Sequence, residues 1–170
     1  MFIVKINPPE EAQKLLKRVE RFIGSVPPHF TLFATLNFKR FEMFLNEIFY
    51  LSMHKSINPD FFAFLRLYVA SKEGFEYCYK FNTVLLLKRE YTQEQINSFE
   101  KDKSALPLDE KHLALFNTAV KALEKPKEFG AEDINEIKKL GWTDADIFDA
   151  IDHGAFLYKF SKVLKAYSKN

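Results

Sequence analysis

Apolar residues recur every three or four positions along most of the chain, which is the spacing of one face of an α-helix. The first such segment runs from Leu15 to Ile23 and is followed by Gly24, a residue type that commonly ends helices. No segment shows sustained alternation of apolar and polar residues, so β-strands are not expected. The pattern predicts an all-α protein.

Local start and stop signals divide this pattern into separate helices. Asn-Pro at positions 58 and 59 and the capping box Thr92–Gln95 are typical helix starts, whereas Gly74 and Gly141 mark breaks. No linker or internal repeat separates domains, so we predict one helical domain over residues 1–170. The predicted helices cover about residues 8–23, 29–36, 41–51, 58–72, 75–88, a short segment from 92, 107–123, 131–140 and 143–167.

Composition and charge narrow the function classes. The chain has 170 residues, 28% of them charged, with a net charge of +2 and both signs interspersed. Nucleic-acid-binding surfaces need a clustered basic excess, so no nucleic-acid partner is expected. The 19 phenylalanines and 7 tyrosines exceed what one small core needs. Some of these rings are therefore expected at a subunit interface or in an apolar pocket, which favours a homo-oligomer and a small apolar ligand.

The sequence carries no signal for secretion or for a membrane. Its N-terminus lacks the basic flank and the long apolar run of a signal peptide. The longest apolar run, from Phe61 to Leu65, is closed by Arg66 and is too short to span a bilayer. With a single cysteine, no internal disulfide is possible. We therefore predict a cytoplasmic protein with no membrane partner.

The most informative stretch surrounds that single cysteine, Cys78. Residues 58–82 are predicted to form two apolar helices joined near Gly74, with Cys78 about one turn into the second. A helix N-terminus and Lys80 favour the thiolate, whereas Glu73 and Glu76 oppose it. A lone cysteine in an apolar helix is more often a buried hydrophobe than a nucleophile, and the residues alone leave both possibilities open.

The hairpin resembles that of a known superfamily. Arg66-Leu-Tyr-Val-Ala-Ser71, a short turn and then Glu76-Tyr77-Cys78 are similar to the hairpin of the carboxymuconolactone decarboxylase and AhpD-like (alkylhydroperoxidase) superfamily. The resemblance to its peroxidase-related branch extends to Val26-Pro27-Pro28, to residues 108–123 and to Leu140–Ile147 before a long last helix. It covers most of residues 20–167 and implies an AhpD-like helical bundle built around a central hairpin.

The same resemblance implies a peroxidase motif that this sequence does not keep. Active members carry the pattern E-x11-C-x2-C-x3-H, in which one cysteine attacks peroxide, the other closes a disulfide, and the glutamate and histidine relay the proton. Aligned on Cys78, the other three positions are Ala63, Phe75 and Asn82. None of these can supply a second thiol or a group that titrates near neutral pH. The disulfide relay is therefore expected to be lost.

Other residues were candidates to replace the missing groups. Glu73 or Glu76 is a candidate base, Tyr77 or Tyr79 a candidate hydrogen-bond donor to a bound oxidant, and His54 a histidine that approaches from outside the hairpin. Successive residues of a helix point in different directions, so few of them can share a face with Cys78. Glu76 is expected to face solvent at the helix start, where its charge suits the helix dipole.

Three functions are consistent with the sequence. The first is a peroxidase-related protein without the peroxidase cycle that keeps an oligomeric scaffold or an apolar binding role. The second is a one-cysteine thiol peroxidase that uses Cys78 and an external reductant. A lyase or isomerase of the decarboxylase branch has least support, because no arginine or histidine of the hairpin is predicted to be suitably placed. No cofactor is expected, since nucleotide motifs are absent, and no metal, since the four histidines lack ligand spacing.

Overall fold

A computed structural model describes residues 2–169, except for the side chains of Phe99 and Lys101. Its helices are α1 (Glu10–Ile23), α2 (Pro28–Leu36), α3 (Phe38–Ser52), α4 (Pro59–Lys72), α5 (Glu76–Leu87), α6 (Gln93–Lys101), α7 (Glu110–Glu124), α8 (Ala131–Lys139) and α9 (Asp144–Tyr167), with a short 3-10 helix at Lys103–Ala105. Within residues 2–169 no strand forms, and a single isolated bridge joins Phe2 to Ser168. The all-α prediction is confirmed.

The helices are distributed over two compact units. One unit runs up to Met53 and resumes at Lys162, and the other is His54–Ser161. In the first unit α2 packs against both α1 and α3. The second unit contains α4–α8 and most of α9. The prediction of one domain over residues 1–170 stays a prediction.

The hairpin of α4 and α5 forms the centre of the second unit. The helix α4 begins where Asn58 accepts a hydrogen bond from the backbone amide of Asp60 (2.9 Å), with Pro59 at the first helical position. Nine of its 14 residues are buried, which explains why its sequence is apolar on nearly every side. The turn to α5 requires Gly74, whose φ of +59° lies in the left-handed region.

The start of α7 differs from the prediction. We expected a helix from Pro107, but α7 starts at Glu110. The carboxylate of Asp109 accepts a hydrogen bond from the backbone amide of His112 (2.8 Å) and so caps the helix there. The capping box predicted at Thr92–Gln95 forms, since the Thr92 hydroxyl accepts from the amide of Gln95 and the Gln95 side chain accepts from the amide of Thr92. Thr143 and Asp146 form the same reciprocal pair at the start of α9.

The longest helix, α9, contributes side chains to the candidate site together with the hairpin of α4 and α5. The apolar residues of α9 within the second unit recur at helical spacing and are buried, namely Ile147, Ala150, Leu157 and Phe160. His153 and Ser161 lie on the same stripe and are buried with them. In the part of the chain that the structure describes, no helix has the length and hydropathy needed to cross a membrane.

Candidate active site around Cys78

A small cavity lies beside Cys78 inside the second unit. Its volume is about 10 Å³, which is roughly the space that one water molecule needs. Two elements of the hairpin and the helix α9 form its walls. The lining residues are Arg66, Val69, Ala70, Phe75, Cys78, Leu157, Phe160 and Ser161.

The thiol of Cys78 is shielded from solvent. Cys78 is the third residue of α5, as predicted, and is only 6% exposed. Burial raises the pKa of the Cys78 thiol to about 12, although the positive charge of Arg66 acts in the opposite direction. At neutral pH the group is therefore a thiol rather than the nucleophilic thiolate.

A polar network crosses the hairpin next to this thiol. The Nε of Arg66 donates a hydrogen bond to the side-chain oxygen of Asn82 (2.8 Å), and a terminal guanidinium nitrogen lies 3.3 Å from the Nε2 of His153. A guanidinium only donates, so the Nε2 of His153 is the acceptor and the proton of this imidazole is on Nδ1. The side-chain amide of Asn82 donates in turn to the backbone carbonyl of Cys78 (2.8 Å).

The motif positions have distinct environments. Ala63 is fully buried in α4. Phe75 is the residue before α5 and lines the cavity beside Cys78. Asn82 is 1% exposed and uses its side chain to connect Arg66 to the helix of Cys78. The structure therefore brings Phe75 and Asn82 to the Cys78 region, where neither side chain titrates near neutral pH.

The candidate auxiliary residues Glu76 and Tyr79 do not line the cavity. Glu76 is exposed, as predicted, and lies 3.4 Å from the ammonium group of Lys80. The hydroxyl of Tyr79 donates to a carboxylate oxygen of Glu100 (2.9 Å) in α6. Burial and this carboxylate raise the pKa of Tyr79 to about 12. Both side chains thus have partners away from the thiol.

His54, the third auxiliary candidate, also lies outside the cavity lining. Its Nδ1 accepts hydrogen bonds from the backbone amides of Ser56 (3.2 Å) and Ile57 (3.0 Å). The proton of the neutral ring is therefore on Nε2, which lies 3.2 Å from a carboxylate oxygen of Asp149. These contacts hold the segment before α4 against α9.

Two residues of the site were missed at the sequence level. Arg66 is not among the residues predicted for the site, yet it lines the cavity and contacts Asn82. His153 is one of the four histidines of the chain, none of which has metal-ligand spacing. Both had a visible signal, since each is a polar residue on an otherwise apolar helical stripe and so requires buried partners.

The structure also bears on metal binding. Within residues 2–169, no group of three or more histidine, cysteine, aspartate or glutamate side chains is arranged to hold a metal ion.

The polar groups that line the Cys78 cavity are one thiol, one guanidinium and the hydroxyl of Ser161. This hydroxyl donates to a carboxylate oxygen of Glu73 (3.1 Å).

Comparison with known proteins places this arrangement on a known fold. No protein-family model matches the sequence, and no curated protein matches it significantly. An uncharacterized peroxidase-related protein from Silicibacter sp. TM1040 is similar in structure, with a TM-score of 0.83, 18% sequence identity and coverage of 98% of this chain and 89% of the other. A second similar structure is the alkylhydroperoxidase AhpD core of an uncharacterized peroxidase-related protein from Ralstonia eutropha JMP134. Its TM-score is 0.81 and its sequence identity 15%, with coverage of 96% of this chain and 88% of the other. The chain therefore has the AhpD-like helical fold of these peroxidase-related proteins, and the resemblance predicted from the hairpin is confirmed at the level of the fold.

Proposed function

We propose that this AhpD-like protein has lost the disulfide-relay peroxidase cycle and keeps a scaffold or apolar binding role. The cycle needs a second thiol to resolve the oxidised cysteine. Phe75 occupies the position where the resemblance places that thiol, and its ring lines the same cavity as Cys78. Ala63 and Asn82 replace the two groups of the proton relay.

The observation that carries this proposal is the enclosure of Cys78. The cavity of about 10 Å³ has room for roughly one water molecule, so an organic hydroperoxide does not fit beside the thiol. Burial also keeps the pKa of the Cys78 thiol far above neutrality. Both properties oppose rapid reaction with peroxide.

The first prediction concerns peroxide turnover. We expect the protein to reduce hydrogen peroxide and cumene hydroperoxide in the presence of a dithiol no faster than a Cys78→Ser variant does. The measurement is dithiol consumption with each peroxide in excess. Steady turnover by the wild-type protein that the Cys78→Ser variant lacks would contradict a purely scaffold or binding role and would favour the one-cysteine peroxidase instead.

A variant with a second cysteine tests whether the missing thiol is the reason that the disulfide-relay cycle is lost. The Phe75→Cys variant restores the C-x2-C spacing at the start of α5 and is expected to form an intramolecular disulfide with Cys78 on mild oxidation. A mass decrease of about two hydrogens in the intact protein reports this bond. If that variant gains turnover and the wild-type protein has none, the replacement at Phe75 accounts for the lost cycle.

A one-cysteine thiol peroxidase is the second candidate function. The observation that favours it is the guanidinium of Arg66, whose charge favours the thiolate of Cys78. In such a reaction the thiolate attacks one peroxide oxygen, the O–O bond breaks, and the other oxygen leaves as an alkoxide or hydroxide that takes up a proton. One external thiol then displaces water from the sulfenic acid, and a second thiol reduces the mixed disulfide and restores the Cys78 thiol. Turnover with a monothiol reductant that disappears in the Cys78→Ser variant would favour this function over the first.

Self-association is the second prediction, and it forms part of the proposed scaffold role. Several large apolar side chains are more than half exposed in the isolated chain, and such side chains mark an interaction site where they adjoin to form a patch. They are Ile3, Phe22, Met43, Phe49, Tyr50, Met53, Val84 and Phe148. We expect sedimentation velocity to show a homo-oligomer, and a single 20.0 kDa species at micromolar concentration would contradict it.

A small apolar ligand remains a prediction with a limited choice of sites. The Cys78 cavity is too small for one. A larger groove of about 390 Å³ lies between α7 and α8, where apolar side chains such as Ile137 and Leu140 are mixed with charged ones such as Asp133. The predicted cytoplasmic location and the absence of a nucleic-acid partner likewise stay predictions.

A further inference from the structure

The helix α3 is apolar on two opposite faces. Its inward face packs on α2, where the ring of Phe30 lies edge-on to the rings of Phe41 and Phe44, with centroids 5.8 and 5.2 Å apart. Leu51 belongs to the same face and is buried. A surface helix of a globular protein usually carries polar residues on the side that points away from its core. The outward face of α3 departs from this pattern.

A stripe of large apolar side chains runs along that outward face. Met43, Asn46, Tyr50 and Met53 follow one another at intervals of three, four and three residues, which is the spacing of the seam between two paired helices. Phe49 borders this seam. The four apolar members of the stripe are each between 54% and 65% exposed in the isolated chain. Because they are neighbours on one helix face, they form a contiguous patch.

The exposed area of the stripe has the size that a small dimer interface needs. A large side chain of this kind has about 200 Å² of surface, so the four apolar members expose roughly 450 Å² in one chain. Two copies that face each other bury roughly 900 Å² from these side chains alone, close to the lower bound of about 1,000 Å² for a specific interface. Polar side chains beside the stripe add to this area.

The charges along α3 favour one orientation of two such helices. The first turn carries Lys39 and Arg40, both exposed, whereas residues 49–52 at the other end are uncharged. Lys39 lies 3.5 Å from a carboxylate oxygen of Glu42, an exposed pair that solvent screens. Basic side chains are favourable near the carbonyl end of a helix. An antiparallel pair places the basic end of each helix beside the carbonyl end of the other, whereas a parallel pair brings like charges together.

We propose that the outward face of α3 is the contact surface of a homodimer, in which the α3 helices of two copies lie antiparallel across a two-fold axis. The stripe is centred on position 48, so Met43 of one copy faces Met53 of the other when the two stripes coincide. Asn46 then faces Tyr50 of the other copy, and an amide can exchange a hydrogen bond with a phenol hydroxyl there, which fixes the register. This inference rests on the self-association proposed above and adds its surface and orientation.

Cross-linking between introduced cysteines tests the orientation, and it forms the third prediction. The background is Cys78→Ser, which removes the one native thiol. The Met43→Cys/Met53→Cys double variant is expected to form a covalent dimer on mild oxidation, measured by non-reducing electrophoresis. Either single variant is expected to give at most about a tenth as much, since identical positions lie roughly 15 Å apart along antiparallel helices. Met43→Cys/Ser52→Cys is the matched control, because position 52 is exposed on the same helix but lies outside the stripe.

A charge placed within the stripe tests the surface itself. Asn46→Glu brings two carboxylates close to the axis of the dimer, whereas Ser52→Glu adds the same charge to α3 outside the stripe. Both positions are exposed, so the fold of each chain is expected to tolerate either change. Sedimentation velocity over a range of concentrations is expected to show a dimer dissociation constant raised at least about ten-fold by Asn46→Glu and less than about two-fold by Ser52→Glu.

The possible failures are distinguishable. An oligomer that responds equally to Asn46→Glu and Ser52→Glu has its interface elsewhere, which overturns this inference and leaves the proposed self-association intact. Single cysteine variants that cross-link as fully as the Met43→Cys/Met53→Cys variant overturn the antiparallel orientation. A wild-type chain that stays monomeric overturns both this inference and the self-association. If that monomer pellets with vesicles that contain phosphatidylserine and Asn46→Glu abolishes the binding, the stripe docks on an anionic membrane instead.

Discussion

The Phe116→Ala substitution is expected to lower the free energy of unfolding by about 3–5 kcal/mol, the largest single effect that we predict. Phe116 of α7 is fully buried and packs against α4. Its ring lies edge-on to Phe61 and Tyr68, with centroids 6.2 and 5.7 Å apart. Truncation removes these contacts and leaves a cavity that the surrounding rings fill only in part. Urea denaturation followed by circular dichroism measures the change.

Phe148→Ala is the matched control for this prediction. Phe148 lies in the same unit, on α9, but is 66% exposed. The same chemical change there is expected to alter the free energy of unfolding by less than about 0.5 kcal/mol when the denaturation is carried out at a protein concentration low enough for the chain to be monomeric. A loss of less than about 1 kcal/mol for Phe116→Ala would mean that α7 does not pack on the hairpin as described.

Those features of the fold that depend on local chemistry could be predicted. Proline at the first helical position, a capping asparagine at position 58 and a left-handed glycine at position 74 determine where α4 begins and where the hairpin turns. The start of α7 was misplaced by three residues. Pro107 is a typical start signal, but the carboxylate of Asp109 caps the helix at a later position. When two residues could each cap the start of a helix, the packing around them determines which one does, and the sequence alone does not reveal that packing.

The candidate site was predictable only in part, for a different reason. Cys78 and the motif positions could be found because their spacing is local to the hairpin. The contacts of Arg66 with Asn82 and His153 join three helices, and such contacts depend on the tertiary arrangement. For the same reason the partner of Tyr79, which is Glu100 of α6, could not be identified, whereas Glu76 lies beside Lys80 four residues later in the same helix, a local spacing. A charged residue within an apolar stripe indicates burial with a partner but does not identify that partner.

Acidification is expected to cause the second large loss of folding stability, and the residue responsible is His29. This histidine is 6% exposed in α2, and its ring packs edge-on against Phe30, with centroids 4.7 Å apart. Burial lowers the pKa of His29 to about 3, against about 6.5 when it is exposed. Below pH 6.5 the unfolded chain therefore binds a proton that the folded chain does not. The free energy of unfolding should fall by about 1.4 kcal/mol per pH unit, or about 2–3 kcal/mol between pH 6.5 and 4.5.

The His29→Phe variant tests this assignment, because it keeps an aromatic ring at the position and removes the titrating group. Urea denaturation at several pH values gives the slope for each protein, and the variant is expected to lose most of the dependence between pH 6.5 and 4.5. Phe44→Leu serves as the control, since it alters a buried ring near His29 (centroids 6.5 Å apart) without changing any charge. It is expected to lower stability equally at every pH. An unchanged slope in His29→Phe would show that His29 accepts a proton in the folded protein as readily as in the unfolded chain, and that its burial in α2 does not exclude water.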